Sequence, residues 1–111
     1  MEIKNNDTQY VFLAVAMKRE REPLLKKMTD VKALSISGLD ICTGKLGSQN
    51  VIAGVSGPGL INMASMVSLV CSQFRISQIV NFGMVGGYGT EIHKNDLIIC
   101  TEAMNIGSYM T

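Results

Sequence analysis

The strongest constraint in the sequence is a set of apolar-rich segments whose length suits strands buried on both faces. Residues 9–17 (QYVFLAVAM), 76–85 (ISQIVNFGMV) and 96–101 (DLIICT) are such segments. A strand with apolar side chains on both faces needs covering layers on both sides of its sheet. The sequence therefore predicts an α/β protein whose sheet contains at least three buried strands.

Two helices and a meander account for most of the remaining chain. Apolar spacing predicts helices over residues 22–29 and 60–75, with Pro23 in the first turn of the former. Turn residues separate three short segments that predict antiparallel strands, at residues 31–37, 39–46 and 50–55. Two helices cannot cover both faces of a sheet of about six strands. We therefore expect further covering elements from a partner chain or from a longer protein of which this is the N-terminal part.

Composition bounds the class of protein. The chain has 111 residues, of which 47% are hydrophobic and 17% charged, with a net charge of +1. This composition excludes intrinsic disorder and suits one domain, with residues 1–8 as a disordered lead. No basic surplus indicates nucleic acid, and no apolar stretch is long enough for a membrane span. The dispersed, odd set of cysteines, Cys42, Cys71 and Cys100, indicates reduced thiols in a cytoplasmic protein.

Glycine clusters follow two of the predicted strands, at residues 56–59 (SGPG) and 83–87 (GMVGG). Glycines at the carboxyl ends of strands let backbone N–H groups face a ligand. The alternative is that they only form tight turns, and both interpretations remain open. The chain has neither a dinucleotide fingerprint nor a P-loop, and its one histidine, His93, has no paired metal ligand. We therefore expect no cofactor and no metal.

Glu20 is the acidic residue whose position is most informative. It lies three residues past the first predicted strand, where a carboxylate reaches the cleft at the strand ends. A neighbouring helix N-terminus would keep it ionised, as a general base requires. Glu20 also belongs to a charged run, residues 18–22, which is typical of a solvated surface. Position alone leaves both interpretations open, and the same applies to Glu102 after the last predicted strand.

The segments VFLAVAMKREREPLLKKM, LDICTGKL, GVSGPGLINMAS and IVNFGMVGGYGTEIHKNDLIICTEA occur in that order. Together they resemble the nucleoside phosphorylase superfamily, and most closely the methylthioadenosine/S-adenosylhomocysteine nucleosidases. Those enzymes carry A-M-x-x-E, I-x-T-G-x-L, S-G-I-G, N-T-G-S-A-G-G and G-D-I-V-V-x-x-E-A elements at nearly the same spacing. The resemblance covers residues 10–104. It implies a three-layer α/β/α sandwich with a mixed sheet, of which residues 1–111 form the N-terminal part.

The resemblance also implies a function, the hydrolysis of the N-glycosidic bond of a purine nucleoside. The family glutamate that activates the attacking water corresponds to Glu20. The positions that it implies for substrate binding are Ala16, Met17, Met84, Val85 and Gly86. The expected partners are a small-molecule purine nucleoside and a second copy of the chain in a homodimer.

One departure from the family pattern keeps other functions open. Met84 replaces a family serine that helps orient the water and the glutamate, and a thioether donates no hydrogen bond. A non-catalytic nucleoside-binding or scaffolding subunit is therefore an alternative. A nucleoside phosphorylase is a further alternative, although Asn81 stands where phosphorylases of the superfamily place an arginine. The family chains are considerably longer, and their second half supplies the groups that protonate the purine and hold the ribose.

Overall fold

The computed structural model describes residues 8–104, so the lead predicted for residues 1–8 lies outside the described residues except for Thr8. The described part of the chain forms five strands and two helices. In chain order they are β1 (Gln9–Val15), α1 (Lys18–Lys27), β2 (Thr29–Ile36), β3 (Leu39–Leu46), β4 (Gln49–Val55), α2 (Leu60–Gln73) and β5 (Arg75–Asn81). Neither helix described here has the length and apolar character that crossing a bilayer requires.

The strands form one mixed sheet in the order β2-β3-β4-β1-β5. The first three strands of this order are antiparallel neighbours, so the predicted meander is confirmed. β1 is parallel to both β4 and β5, which it separates. The carboxyl ends of these three strands therefore meet at one edge of the sheet, which is where open α/β sheets bind ligands. We call this edge the strand-end edge.

Alternate side chains of β1 enter two separate cores on opposite faces of the sheet. Phe12 and Ala14 belong to a core beneath α2, whose members also include Ile41, Ile52, Met66 and Val70. Leu13 belongs to a core on the α1 side, whose members also include Met28, Cys42, Val51 and Ala53, with Leu24 and Leu25 of α1 packed against them. The helices therefore cover opposite faces, and the predicted three-layer α/β/α sandwich with a mixed sheet is confirmed.

Helix α1 begins earlier than the sequence predicts. The expected start at residue 22 with Pro23 in the first turn is wrong, because Pro23 is the sixth residue of a helix that begins at Lys18. The proline has no N–H to donate to the Arg19 carbonyl, and the ten-residue helix tolerates this loss. Its true start is stabilised by Glu20, whose carboxylate accepts the Met17 N–H at 3.0 Å.

Two predicted strand regions are wrong. Residues 96–101 form no strand, and Leu97 and Ile99 are 94% and 87% exposed. β5 ends at Asn81 rather than at residue 85, and its Ile79 and Val80 are partly exposed. Of the three segments predicted to be buried on both faces, only the first forms such a strand, β1, whereas β4 of the meander is also buried on both faces. A strand needs a ladder partner. β5 is the outermost strand on its side of the sheet, and no strand within residues 8–104 pairs with its free side.

The core beneath α2 makes a stability prediction. Phe12 is fully buried there, and its ring lies so close to β4 that a Cβ at Gly54 would be 3.2 Å from it. In the intact protein, Phe12→Ala should lower the free energy of unfolding by about 3–5 kcal/mol, because it removes contacts and leaves a cavity. The exposed Lys26→Ala should change it by less than about 0.5 kcal/mol. Chemical denaturation measures both, and equal effects would contradict this description of the core.

Candidate active site

Backbone hydrogen bonds tie the three strand ends together just beyond the last ladder positions. The N–H groups of Ser56 and Gly57, which follow β4, each donate to a carbonyl at the end of β1 at 3.0 Å. On the other side of β1, the Phe82 N–H donates to a third carbonyl of that strand at 3.2 Å. The glycine clusters at residues 56–59 and 83–87 therefore flank the end of β1.

The carboxylate of Glu20 lies at the centre of this edge. Its Oε1 accepts the N–H groups of Ala16 at 3.2 Å and Met17 at 3.0 Å, which belong to the turn between β1 and α1. Its Oε2 accepts the Met84 N–H at 3.1 Å, from the segment after β5. The structure thus brings together four of the predicted site residues. They are joined by one carboxylate that bridges two neighbouring strand ends.

These N–H donors favour the ionised form of Glu20. The hydrogen bond from Met84 is the largest cause that lowers the pKa of this carboxyl below its ordinary value of 4.5. Partial burial opposes the shift, whereas the bonds from Met17 and Ala16 and the positive charge of Arg19 add to it. Because the pKa is lowered on folding, the ionised carboxylate stabilises the fold at neutral pH. That contribution is lost as the pH falls through the folded-state pKa.

Gly83 provides the space that this carboxylate occupies. A Cβ at position 83 would lie 2.6 Å from Oε2 of Glu20, closer than real Cβ contacts allow, and 3.1 Å from its carboxyl carbon, which is a tight contact. From the sequence, Gly83 was one of a cluster of glycines that either face a ligand or form a tight turn, and its contact with Glu20 was not predicted. A glycine directly before Met84 indicated a close contact at this position, but the contacting residue, Glu20, is remote in sequence.

The remaining predicted site residues continue the segment after β5. Met84 contacts Glu20 through its backbone N–H, and the residue as a whole is 69% exposed. Val85 and Gly86 are exposed beyond it, and a Cβ at Gly86 would meet no atom within 4 Å. Glu102 is also exposed and follows a segment that forms no strand, so the strand-end argument does not apply to it.

Arg21 is a second residue whose position differs from what its sequence context predicts. It belongs to the charged run that is typical of a solvated surface, yet it is only 9% exposed. Its Nη1 lies 2.9 Å from Oδ1 of Asp40, and its Nη2 donates to Oδ2 at 3.0 Å. Asp40 indicated that a basic residue would lie nearby, because it is the one acidic residue of β3 and follows an apolar residue.

The sequence pattern of the phosphorylase superfamily matches residues 10–110. The 5'-methylthioadenosine/S-adenosylhomocysteine nucleosidase of Marinomonas sp. (strain MWYL1) is 31% identical over 90 residues, which are 81% of this chain and 39% of that protein. The nucleosidase of the same name from Haemophilus ducreyi is 34% identical over 87 residues, 78% of this chain and 38% of that protein. The chain thus spans less than two fifths of the length of these curated relatives.

A solved structure shows the same similarity. The crystal structure of 5'-methylthioadenosine/S-adenosylhomocysteine nucleosidase from Neisseria meningitidis, in complex with methylthio-immucillin-A, matches with a TM-score of 0.72 and 28% sequence identity. The match covers 76% of this chain and 36% of that chain. It extends the agreement in sequence to the arrangement of the strands and helices.

The space at Gly83 can be tested through the titration of Glu20. In Gly83→Ala the new methyl group should displace the carboxylate from the Met84 N–H, so the pKa of Glu20 should rise towards its ordinary value. Gly86→Ala, which adds the same methyl group to open space, should leave this pKa unchanged. Carbon-13 NMR titration of the Glu20 carboxyl in both variants measures the difference. An unshifted titration in Gly83→Ala would show that the carboxylate does not depend on this contact.

Proposed function

Because the chain belongs to the phosphorylase superfamily, we propose that it forms the N-terminal part of a purine nucleosidase. The reaction is hydrolysis of the N-glycosidic bond of methylthioadenosine, S-adenosylhomocysteine or a related nucleoside. The names of the relatives at 31% and 34% identity support this reaction. The observation that carries the proposal is the Glu20 carboxylate, held ionised at the strand-end edge by three backbone N–H groups.

In this mechanism the bond between the anomeric carbon and the purine nitrogen breaks, and both of its electrons leave with the base. The ribosyl group becomes cationic, and the oxygen of a water molecule forms the new bond to the anomeric carbon. Glu20 accepts the proton that this water loses. An ionised carboxylate beside the ribosyl cation also stabilises the positive charge that develops as the bond breaks.

The hydrogen bonds of Glu20 indicate which oxygen would receive the water. An ionised carboxylate offers about four acceptor positions, two on each oxygen. Oε1 already accepts two N–H groups, whereas Oε2 accepts only the Met84 N–H. We therefore assign the attacking water to the remaining acceptor position on Oε2.

The nucleoside would lie against the backbone that surrounds this oxygen. Ala16 and Met17 would contact it from the end of β1, and residues 84–86 from the segment after β5. The flexible thioether of Met84 would form an apolar wall that favours an apolar 5′ substituent. The group that protonates the purine and the group that holds the ribose hydroxyls would come from residues outside this chain.

Two alternatives differ in what they require of particular residues. A non-catalytic nucleoside-binding subunit is favoured by Met84, which lacks the hydroxyl of the family serine. A phosphorylase would need cationic groups to hold phosphate. The amide of Asn81, at the position of the phosphorylase arginine, instead donates to the Ala14 carbonyl at 3.3 Å. Arg75 begins β5 and lies at the opposite end of that strand, so water is favoured over phosphate as the nucleophile.

We further propose that the protein acts as a homodimer in the cytoplasm. Among the described residues, the apolar side chains of Ile79, Leu97 and Ile99 are exposed. Exposed apolar surface of this kind favours contact with other parts of the protein or with a second copy. Either further residues of the protein or the second copy would cover this surface.

Replacement of Glu20 tests the proposed base in the complete protein. Glu20→Gln removes the negative charge while it keeps the size of the side chain. The turnover of methylthioadenosine should fall by roughly a hundredfold or more, the usual contribution of a general base. Nucleoside binding, followed by calorimetry, should persist. The exposed Glu22→Gln on the same helix is the control, and near-normal turnover in Glu20→Gln would return Glu20 to the role of a surface charge.

Replacement of Met84 separates an enzyme from a binding subunit. If the site hydrolyses nucleosides, Met84→Ser should leave turnover unchanged or raise it, because the backbone N–H to Glu20 is retained. It should also weaken the preference for an apolar 5′ substituent, since the thioether wall is lost. The assay is release of free purine from methylthioadenosine, S-adenosylhomocysteine and inosine. No release from any of them, with methionine or with serine, would favour the binding subunit.

A further inference from the structure

Arg21 is the one charged residue that the described part of the chain buries, and it directly follows Glu20 in the first turn of α1. Both terminal nitrogens of its guanidinium contact the Asp40 carboxylate, at 2.9 and 3.0 Å. Nη1 also donates to the backbone carbonyl of Asp40 at 3.2 Å. A planar guanidinium held at two nitrogens by one carboxylate has its orientation fixed as well as its position.

This ion pair connects α1 to the part of the sheet that borders Glu20. Asp40 is the second residue of β3, and its partner across the ladder is Val55, the last residue of β4. The next residue, Ser56, donates its N–H to the end of β1. The guanidinium therefore fixes the first turn of α1 to the same strand ends that surround the carboxylate.

The hydrogen bonds of Glu20 differ in how much they depend on this attachment. Its bonds to Ala16 and Met17 join residues four and three positions apart, so they move with the helix. Its bond to Met84 joins residues 64 positions apart and exists only if α1 lies at the correct distance from β5. The core contacts of Leu24 and Leu25 hold α1 against the sheet, but apolar contacts tolerate sliding more than a two-nitrogen ion pair does.

We propose that Arg21 is a positioning residue whose ion pair with Asp40 places the Glu20 carboxylate against the Met84 N–H. The consequence for catalysis rests on the proposed function of Glu20. Only the Arg21 side of this pair is buried, because the Asp40 side chain is 41% exposed, and a partly exposed pair adds little stability. Its two-nitrogen geometry instead favours one position of α1 on the sheet. The unpaired Nε of Arg21 agrees with this role, because within the described residues only the terminal nitrogens hold the guanidinium.

Loss of the Met84 bond would change the titration of Glu20. The segments after β1 and β5 that face the carboxylate present backbone amides at Ala16, Met17 and Met84, and Arg19 of α1 is the charged group that lowers its pKa. Without the Met84 bond the pKa rises, so a larger fraction of Glu20 is protonated and inactive at mildly acidic pH. The acidic limb of the pH–rate profile then moves to higher pH.

The test compares variants of the ion pair in the intact protein. Arg21→Met keeps an unbranched side chain that replaces the aliphatic part of arginine and removes the guanidinium, and Arg21→Lys keeps the charge without the two-nitrogen contact. The purine-release rate is measured against pH, together with the carbon-13 NMR titration of Glu20. Arg21→Met should lower kcat by roughly tenfold, within the range for a misplaced catalytic group. KM should change less, and both the acidic limb and the pKa of Glu20 should move upward; Arg21→Lys should recover part of each change.

Two further variants separate positioning from a loss of stability. Asp40→Asn should reproduce the effects of Arg21→Met, and the double variant should cost no more than Arg21→Met alone, because both changes break the same pair. The Lys18 Nζ that lies 3.9 Å from the Asp40 carboxylate is on an exposed side chain and contributes little. Val70→Ala lies in the core on the opposite face, and it should lower Tm without moving the acidic limb. An Arg21→Met protein that loses Tm but keeps the pKa of Glu20 and the acidic limb would overturn the proposal.

A different result is expected if the proposed nucleosidase function is wrong. In that case the parent protein releases no purine at any pH. The NMR titration of Glu20 in Arg21→Met still reports whether the ion pair positions the carboxylate. An upward shift of this pKa supports the positioning role without activity, and an unchanged value rejects it.

Discussion

The carboxylate of Glu20 accepts backbone N–H groups that the sheet cannot satisfy. Where parallel strands end, the ladder stops and the next N–H groups lose their strand partners. One side chain takes up three of these donors, two from the turn between β1 and α1 and one from the segment after β5. The same contacts start α1, connect neighbouring strand ends and keep the carboxylate ionised. The geometry of the candidate site therefore follows from a single hydrogen-bonding requirement of the backbone.

This arrangement affects what the carboxylate can do chemically. Donors that lower its pKa make it a weaker proton acceptor but ensure that it is deprotonated at neutral pH. What such a group provides is a fixed negative charge with one acceptor position left in a defined direction. Those properties suit a reaction in which a cationic sugar forms before water attacks, since the charge stabilises the cation and the acceptor position orients the water. The absence of a side chain at Gly83 is part of the same geometry.

The methionine at position 84, where the family has a serine, leaves the hydrogen bond to Glu20 intact. Met84 keeps the contact with Glu20 because the donor is its backbone N–H, which every residue except proline supplies. In the proposed nucleosidase, the lost serine hydroxyl would affect only the side-chain environment of the nucleoside, on the side where the Met84 thioether is exposed. In the proposed positioning role, Arg21 acts on the same contact from the side of α1, because its pair with Asp40 attaches that helix to the sheet.

The layers of the protein can be read from local patterns in its sequence. The apolar run of β1 indicates that both of its faces are covered, and the turn residues around β3 indicate a meander. Both helices are also predictable from the sequence, although the start of α1 is not. These signals are local, because side-chain periodicity depends only on neighbouring residues. The tertiary structure alone decided that residues 96–101 form no strand within the described chain and that Arg21 is buried against Asp40, 19 positions away. It alone also decided that Glu20 reaches Met84, 64 positions away. Each of these facts depends on which strands become neighbours, and residues that are remote in sequence leave no periodic pattern that records their pairing.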